Sequence, residues 1–202
     1  DHSQSAFYAK GLKSPRLKEQ AELIRQLQKK VSIRIFHGVE SDILMDGSLD
    51  YEKKILADLD FVIASIHSRF QMDKEAMTQR IVKALSNPFT TIWGHPTGRL
   101  ILSRSGYDLS WEKCLEAAHQ NQVAIELNAN PQRLDVDWRL GEKLEAYQNL
   151  ICINPDAHSV EGISHTIYGE WMAQKARISS DKILNLLDVG EMEKYLWTRK
   201  QQ

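Results

Sequence analysis

The chain has 202 residues, 42% hydrophobic and 26% charged, the composition of a globular domain rather than of a disordered tail. With 26 Lys and Arg against 27 Asp and Glu, its formal net charge is −1 and its pI about 6.7, which excludes a domain that grips nucleic acid by overall charge. No apolar run approaches the ~18 residues of a membrane span, and the two cysteines, Cys114 and Cys152, read as buried free thiols suited to a reducing cytoplasm.

Helical spacing runs through residues 14–30, and the apolar run 33–39 reads as a first strand. A second strand is expected at 61–66, a helix at 73–85 and a short third strand at 91–93. The helix 110–120 has Ser110 as N-cap, but Lys113 rather than Glu stands at the third helical position, so the capping box is incomplete. A strand at 123–127, a helix at 138–147, a strand at 150–153 and a helix at 162–176 follow. Residues 181–202 read as one or two closing helices, with Leu196 and Trp197 packing back on the body. Short runs that are apolar on both faces suit parallel strands covered by helices. Their alternation with helices implies βαβ units in a single α/β domain spanning 1–202. Pro88, Pro96 and Pro131 fall between the periodic segments, where proline belongs.

The metal-type residues fall where the strands end. Glu40 follows the first strand, His67 the second and His95 the third. Asn128 follows the fourth, and Asp156 and His158 the fifth. Parallel strands bring their C-terminal ends to one rim, so these positions are expected to converge. Each alone carries little; the regular placement of all of them carries the reading. Neutral imidazoles with carboxylates suit Zn, Mn or Fe. Such ions activate water and clamp a phosphoryl oxygen. No thiolate joins the set, which disfavours a structural zinc site. His37 lies inside the expected first strand, His119 ends a helix where a cation favours the dipole, and His165 reads as a surface residue. Arg69, Arg99 and Arg133 closely follow the candidate ligands. Guanidinium groups bind phosphate in bidentate fashion, so an anionic substrate is expected.

The strings Asp1-His2-Ser3, Gly38-Val39-Glu40, DGSLDY (46–51), Ser65-Ile66-His67-Ser68, HPTGR (95–99), ELNANPQRLD (126–135) and Asp156-Ala157-His158-Ser159 resemble the PHP (polymerase and histidinol phosphatase) superfamily. DGSLDY, HPTGR and ELNANPQRLD are similar to those of bacterial family X DNA polymerases in particular. The resemblance implies a distorted seven-stranded TIM-like (βα) barrel holding up to three divalent ions, usually Mn or Zn, with Fe or Mg as further candidates. Carried over by position, the ligands are His2, Glu40, His67, His95, Asp156 and His158, the last two also catalytic. Arg69, Arg99, Asn128, Asn130 and Arg133 become the substrate contacts. The implied activity is a 3′→5′ exonuclease of DNA ends, with DNA reached through an attached polymerase domain. A small-molecule phosphatase resembling histidinol phosphatase, or a non-catalytic scaffold, are the alternatives. The family's His-x-His motif precedes the segment matching Asp1-His2, so a fragment of a longer protein, lacking the first strand or strands, is expected. The exposed edge of strand 33–39 would then be covered by helix 14–30, by another chain or by the missing segment.

Overall fold

The computed structural model describes residues 1–200. Five strands form one all-parallel sheet in sequential order: β1 (Gly38–Asp42), β2 (Phe61–Ser65), β3 (Ile92–Trp93), β4 (Ala124–Asn128) and β5 (Ile151–Asn154). Parallel neighbours need a crossover between them. The crossovers carry α2 (Lys53–Ala57), α3 (Lys74–Leu85), α4 (Trp111–Gln120) and α5 (Gly141–Ala146). Helix α1 (Ser14–Gln28) precedes the sheet, and α6 (Thr166–Ala176) and α7 (Val189–Arg199) follow it. The short α2 is too brief to show a helical period, and the sequence pattern does not announce it.

Local chemistry explains the better-defined helices. Asp73 caps α3 by accepting from the Ala76 amide, and the helix buries Met77, Ile81, Ala84 and Leu85, a spacing that lays one stripe against the sheet. Ser110 caps α4 as expected, accepting from Lys113 N, and Cys114, Leu115 and Ala118 are buried. All five residues of β4 are buried, as in a strand covered on both faces. The core centres on Trp93, Ile125, Leu127, Leu115 and Ile81, each at most 1% exposed. Both cysteines are free and buried.

Four expectations are corrected. Residues 33–37 make no strand: Ile33 is 68% exposed, and Gln28 instead holds its carbonyl and the Ile35 amide. Pairing starts only at Gly38, where the Phe61 ring occupies the space of a β-carbon. The helices expected from 138 and 162 begin as 3-10 turns, Trp138–Leu140 and Glu161–His165. In the closing segment Leu196 packs inward, but Trp197 is 64% exposed; residues 201–202 of that segment lie outside the described residues. The outer edge of β1 is not covered by α1. Glu40 N donates to Asp1 O at 3.0 Å, and Ser3 N donates to Glu40 O at 2.9 Å. Residues 1–3 therefore extend the sheet as a one-bridge strand.

At the opposite edge Ile151 bridges Ile183 in parallel. No pairing among the described residues joins these two flanks. No helix of the described residues is long and apolar enough to cross a membrane.

Candidate metal centre

The parallel order sets the C-terminal ends of all five strands side by side. His67, His95 and Asp156 each stand two residues beyond a strand end, after Ser65, Trp93 and Asn154, and so at one level. Glu40 reaches the same place differently. Because β1 starts at Gly38, Glu40 is its central residue rather than the residue after it. The pairing of residues 1–3 with Glu40 then brings His2 beside it.

The ligand-type atoms converge. Glu40 Oε1 lies 3.0 Å from His95 Nε2 and 3.1 Å from His67 Nε2, and Glu40 Oε2 lies 3.3 Å from His2 Nδ1. The His2 and His67 rings are 4.8 Å apart, and those of His67 and His95 5.1 Å. One atom each from His2, Glu40 and His67 lies within 4.8 Å of the others. His2 Nδ1 and His67 Nε2 are buried and close to carboxylate oxygens, yet neither is aligned for a hydrogen bond. His95 Nε2, by contrast, is hydrogen-bonded with Glu40 Oε1 at 3.0 Å. Two atoms sharing an ion about 2.1 Å away stand about 3.0 to 3.4 Å apart, for right-angled to tetrahedral arrangements. The three Glu40–histidine spacings fall in that range, and the donor set of imidazoles and carboxylate is that of Zn, Mn or Fe. The residues therefore fit a divalent ion.

Two acids that the sequence reading did not single out hold this arrangement. Asp42, two residues past Glu40 on the same face of β1, places Oδ1 2.6 Å from His67 Nδ1 and takes a hydrogen bond from Ser5 Oγ on Oδ2. That contact fixes which His67 nitrogen faces the centre, as carboxylate partners of metal-binding histidines do. Burial works to lower the His67 pKa, but the Asp42 hydrogen bond and the Glu40 carboxylate outweigh it and lift it to about 9. Burial likewise works to raise the Glu40 pKa, and contacts with His67 and His95 hold it well below the usual carboxylate range. His2 is lowered, chiefly by burial. Glu126 is 4% exposed and accepts from His95 N at 2.6 Å, Asn128 Nδ2 at 3.1 Å and Asn154 Nδ2 at 2.8 Å. Its pKa is raised, chiefly by burial. An acid inside an otherwise apolar strand was the signal for Glu126; period-two alternation from Glu40 was the signal for Asp42.

His95 (φ 24°) and Asp156 (φ 50°) both lie at positive φ, an uncommon and strained setting for such residues that collects at functional sites. Asp156 is joined to the cluster through its neighbours. Its Oδ2 meets Arg133 Nε and Asn128 Nδ2, each at 3.2 Å. The His158 ring is 6.3 Å from that of His2, and its side chain is 71% exposed. Arg133, Asn130, Asp156, His158 and His165 line an open groove of about 580 Å³ beside the cluster. Asn128 is fully buried and accepts from Asn130 N. Arg99 does not face the groove free: its guanidinium holds the carbonyls of Arg133 and Leu134 and the Asp137 carboxylate. Arg69 is exposed, at φ 57°. His37 is buried against Gln20, and His119 meets the Gln148 carbonyl; both lie apart from the cluster.

The chain matches no protein-family model. It is 40% identical over 197 residues, 97% of its length, to the DNA polymerase/3′-5′ exonuclease PolX of Bacillus subtilis (strain 168), and spans 35% of that protein. It is 29% identical over 180 residues to a probable phosphatase of Thermoanaerobacter sp. (strain X514), covering 84% of this chain and 71% of the relative. A probable phosphatase of Caldanaerobacter subterraneus subsp. tengcongensis is 35% identical over 100 residues, 48% of this chain and 37% of that one.

Proposed function

Because the chain belongs to the PHP superfamily, as its likeness to PolX over 97% of its length shows, we propose that it is a metal-dependent phosphoesterase that removes nucleotides from the 3′ end of DNA. The observation that carries this reading is the closeness of His2, Glu40 and His67, one ligand-type atom of each lying within 4.8 Å of the others, with two buried imidazole nitrogens that lack a hydrogen-bond partner. His95 and Asp156 extend the ligand set. Divalent ions held there would supply Lewis acidity and an activated water, the chemistry that phosphate-ester hydrolysis needs near neutral pH. Glu40 presents Oε1 to His67 and His95 and Oε2 to His2, so one carboxylate serves both sides of the cluster.

The chain's own groups do the rest. Arg133 carries positive charge into the groove, and its Nη1 has no hydrogen-bond partner; a phosphoryl oxygen supplies one. His158 Nδ1 lies 2.8 Å from the Asp156 carbonyl. A carbonyl only accepts, so Nδ1–H donates and Nε2 of the neutral ring is left as a base. It takes a proton from the attacking water and returns one to the departing 3′-oxygen. In this reading the sheet is part of a TIM-like barrel, and DNA arrives beside a polymerase domain of the kind named in PolX.

The test is a 5′-labelled single-stranded oligonucleotide incubated with the protein and Mn²⁺. Shortening from the 3′ end is expected, with His158→Ala and Asp156→Ala slower by about 100-fold or more and Arg133→Ala raising KM. Hydrolysis of histidinol phosphate with the oligonucleotide left intact would overturn the exonuclease and favour the small-molecule phosphatase.

A further inference from the structure

We propose that Phe7 and Tyr8 form a stacking platform for the terminal base of the substrate strand, so that the site takes an unpaired 3′ end. This rests on the exonuclease reading and names the form of its substrate. Phe7 is 85% and Tyr8 70% exposed, in a 3-10 turn (Phe7–Ala9) immediately beyond the His2 segment. The Tyr8 ring centre lies 5.8 Å from that of His2 and 6.2 Å from that of His67. It therefore stands at the mouth of the cluster, within one nucleotide of any phosphate bound there.

The turn is braced, so its exposed rings are held in place. Ser3 bridges Leu12, Leu12 N donates to His2 O at 2.9 Å, and Gly11 N donates to Ala6 O at 3.1 Å. Ser5 is anchored by Asp50 through its amide and by Asp42 through its hydroxyl. Ala6 beneath the turn is 1% exposed. The fold thus fixes two aromatic rings in solvent beside a cluster of metal-type residues, where they contribute nothing to the core.

The surrounding charge indicates what covers them. Beyond the Asp42 and Glu40 carboxylates of the cluster, which act on the Tyr8 hydroxyl more strongly, Arg133 and Arg104 also act on it, and the Arg104 guanidinium sits 4.0 Å from the centre of the Phe70 ring. Aromatic faces flanked by guanidinium groups are how proteins hold unpaired nucleotides, the rings taking bases and the cations the backbone. The near-neutral net charge of the chain also leaves binding short of long-range attraction, and stacking is the uncharged means of supplying it.

The experiment compares two single-stranded oligonucleotides that differ only at the 3′ terminus, one ending in a normal nucleotide and one in a tetrahydrofuran abasic residue. Base–aromatic stacking predicts that Phe7→Ala/Tyr8→Ala raises KM for the base-bearing strand about 5- to 150-fold, leaves KM for the abasic strand unchanged and leaves kcat alone, and that Tyr8→Trp retains wild-type KM. Binding is read separately with 2-aminopurine at the 3′ terminus, whose fluorescence is quenched by the wild type and not by the double variant. Equal losses on both strands, as from a folding defect or a docking surface for protein, overturn the platform, as does no change on either. If the wild type quenches 2-aminopurine through Tyr8 but hydrolyses no strand, the exonuclease reading fails and the platform stands. If it shortens strands with no dependence on Phe7 or Tyr8, the platform fails and the reaction stands.

Discussion

Asp42→Asn tests whether the buried carboxylate behind His67 sets the properties of the metal centre. The His67 side chain is 6% exposed and that of Asp42 9%, so their 2.6 Å contact is little screened by solvent. In the metal-free protein the His67 pKa of about 9 lies above the ordinary value near 6.5. A raised pKa stabilises the fold below the unfolded value, and the contribution disappears as pH rises through the folded one. Wild-type metal-free protein is therefore expected to lose stability between pH 6.5 and 9, by at most about 3 kcal/mol, and the variant much less. Metal binding follows the opposite sign. The ion must displace the His67 proton, so apparent affinity rises about tenfold per pH unit until about pH 9. Loss of a carboxylate behind a ligand histidine typically costs about 10- to 100-fold in affinity, but the variant also escapes the proton competition. Its defect is thus expected to be small at pH 7 and to widen towards pH 8.5. Zn²⁺ titration against a competing chelator across that range, beside urea denaturation of metal-free protein, reads both effects. Parallel pH profiles for wild type and variant would refute the reasoning.

Glu126→Gln sets an amide NH₂ against donors, because both Glu126 oxygens already accept hydrogen bonds; a loss of about 1–3 kcal/mol is expected by denaturant unfolding. Unchanged stability would mean that the three donors find other partners. In Gly11→Ala the new β-carbon would lie 1.8 Å from the Ser3 carbonyl oxygen, which cannot yield without breaking the Ser3–Leu12 bridge. Lower thermal stability by about 1–3 kcal/mol and reduced metal content by elemental analysis are expected, since His2 is carried by the same segment; full metal retention would show that His2 does not contribute.

The strand–helix alternation was legible because it rests on burial, and burial leaves a hydrophobic pattern. Residues 124–127 and 151–153 are all buried, so their apolar runs marked β4 and β5 correctly. The first strand was misplaced for the same reason. Its real residues, Gly38–Asp42, include Glu40, Ser41 and Asp42, so the site's own polarity hides the strand from a hydrophobic reading. The apolar residues Ile33, Ile35 and Phe36 just before it were read in its place. The convergence of Glu40, His67 and His95 was visible from spacing and parallel topology. The contact of His2 was not, because it depends on a single-residue bridge between residues 1–3 and β1 that has no period to read. Arg99 shows the limit of residue type: a guanidinium in a loop suggests phosphate, but backbone carbonyls and Asp137 take up its donors.

The polar residues buried at the C-terminal edge of the sheet explain what holds the centre in shape. Asp42, Glu126 and Asp135 are each at most 6% exposed, a costly setting for carboxylates unless they are bonded. Each is spent on a loop that follows a strand. Asp42 holds His67, Glu126 holds the His95 amide, and Asp135 accepts from Thr97 N at 3.0 Å. The loop carrying His95 is thus gripped on both sides of a residue at φ 24°. Strained backbone persists only where its surroundings over-determine it, and here two carboxylates do so. Asp156, at φ 50°, is held in turn by Arg133 and Asn128, and Asn128 is fixed by Glu126. Glu126 therefore links the His95 loop to the Asp156 loop across β4. A substitution at Glu126 should for that reason disturb both of these loops, whereas one at Asp42 should act on His67 and on the Ser5 segment.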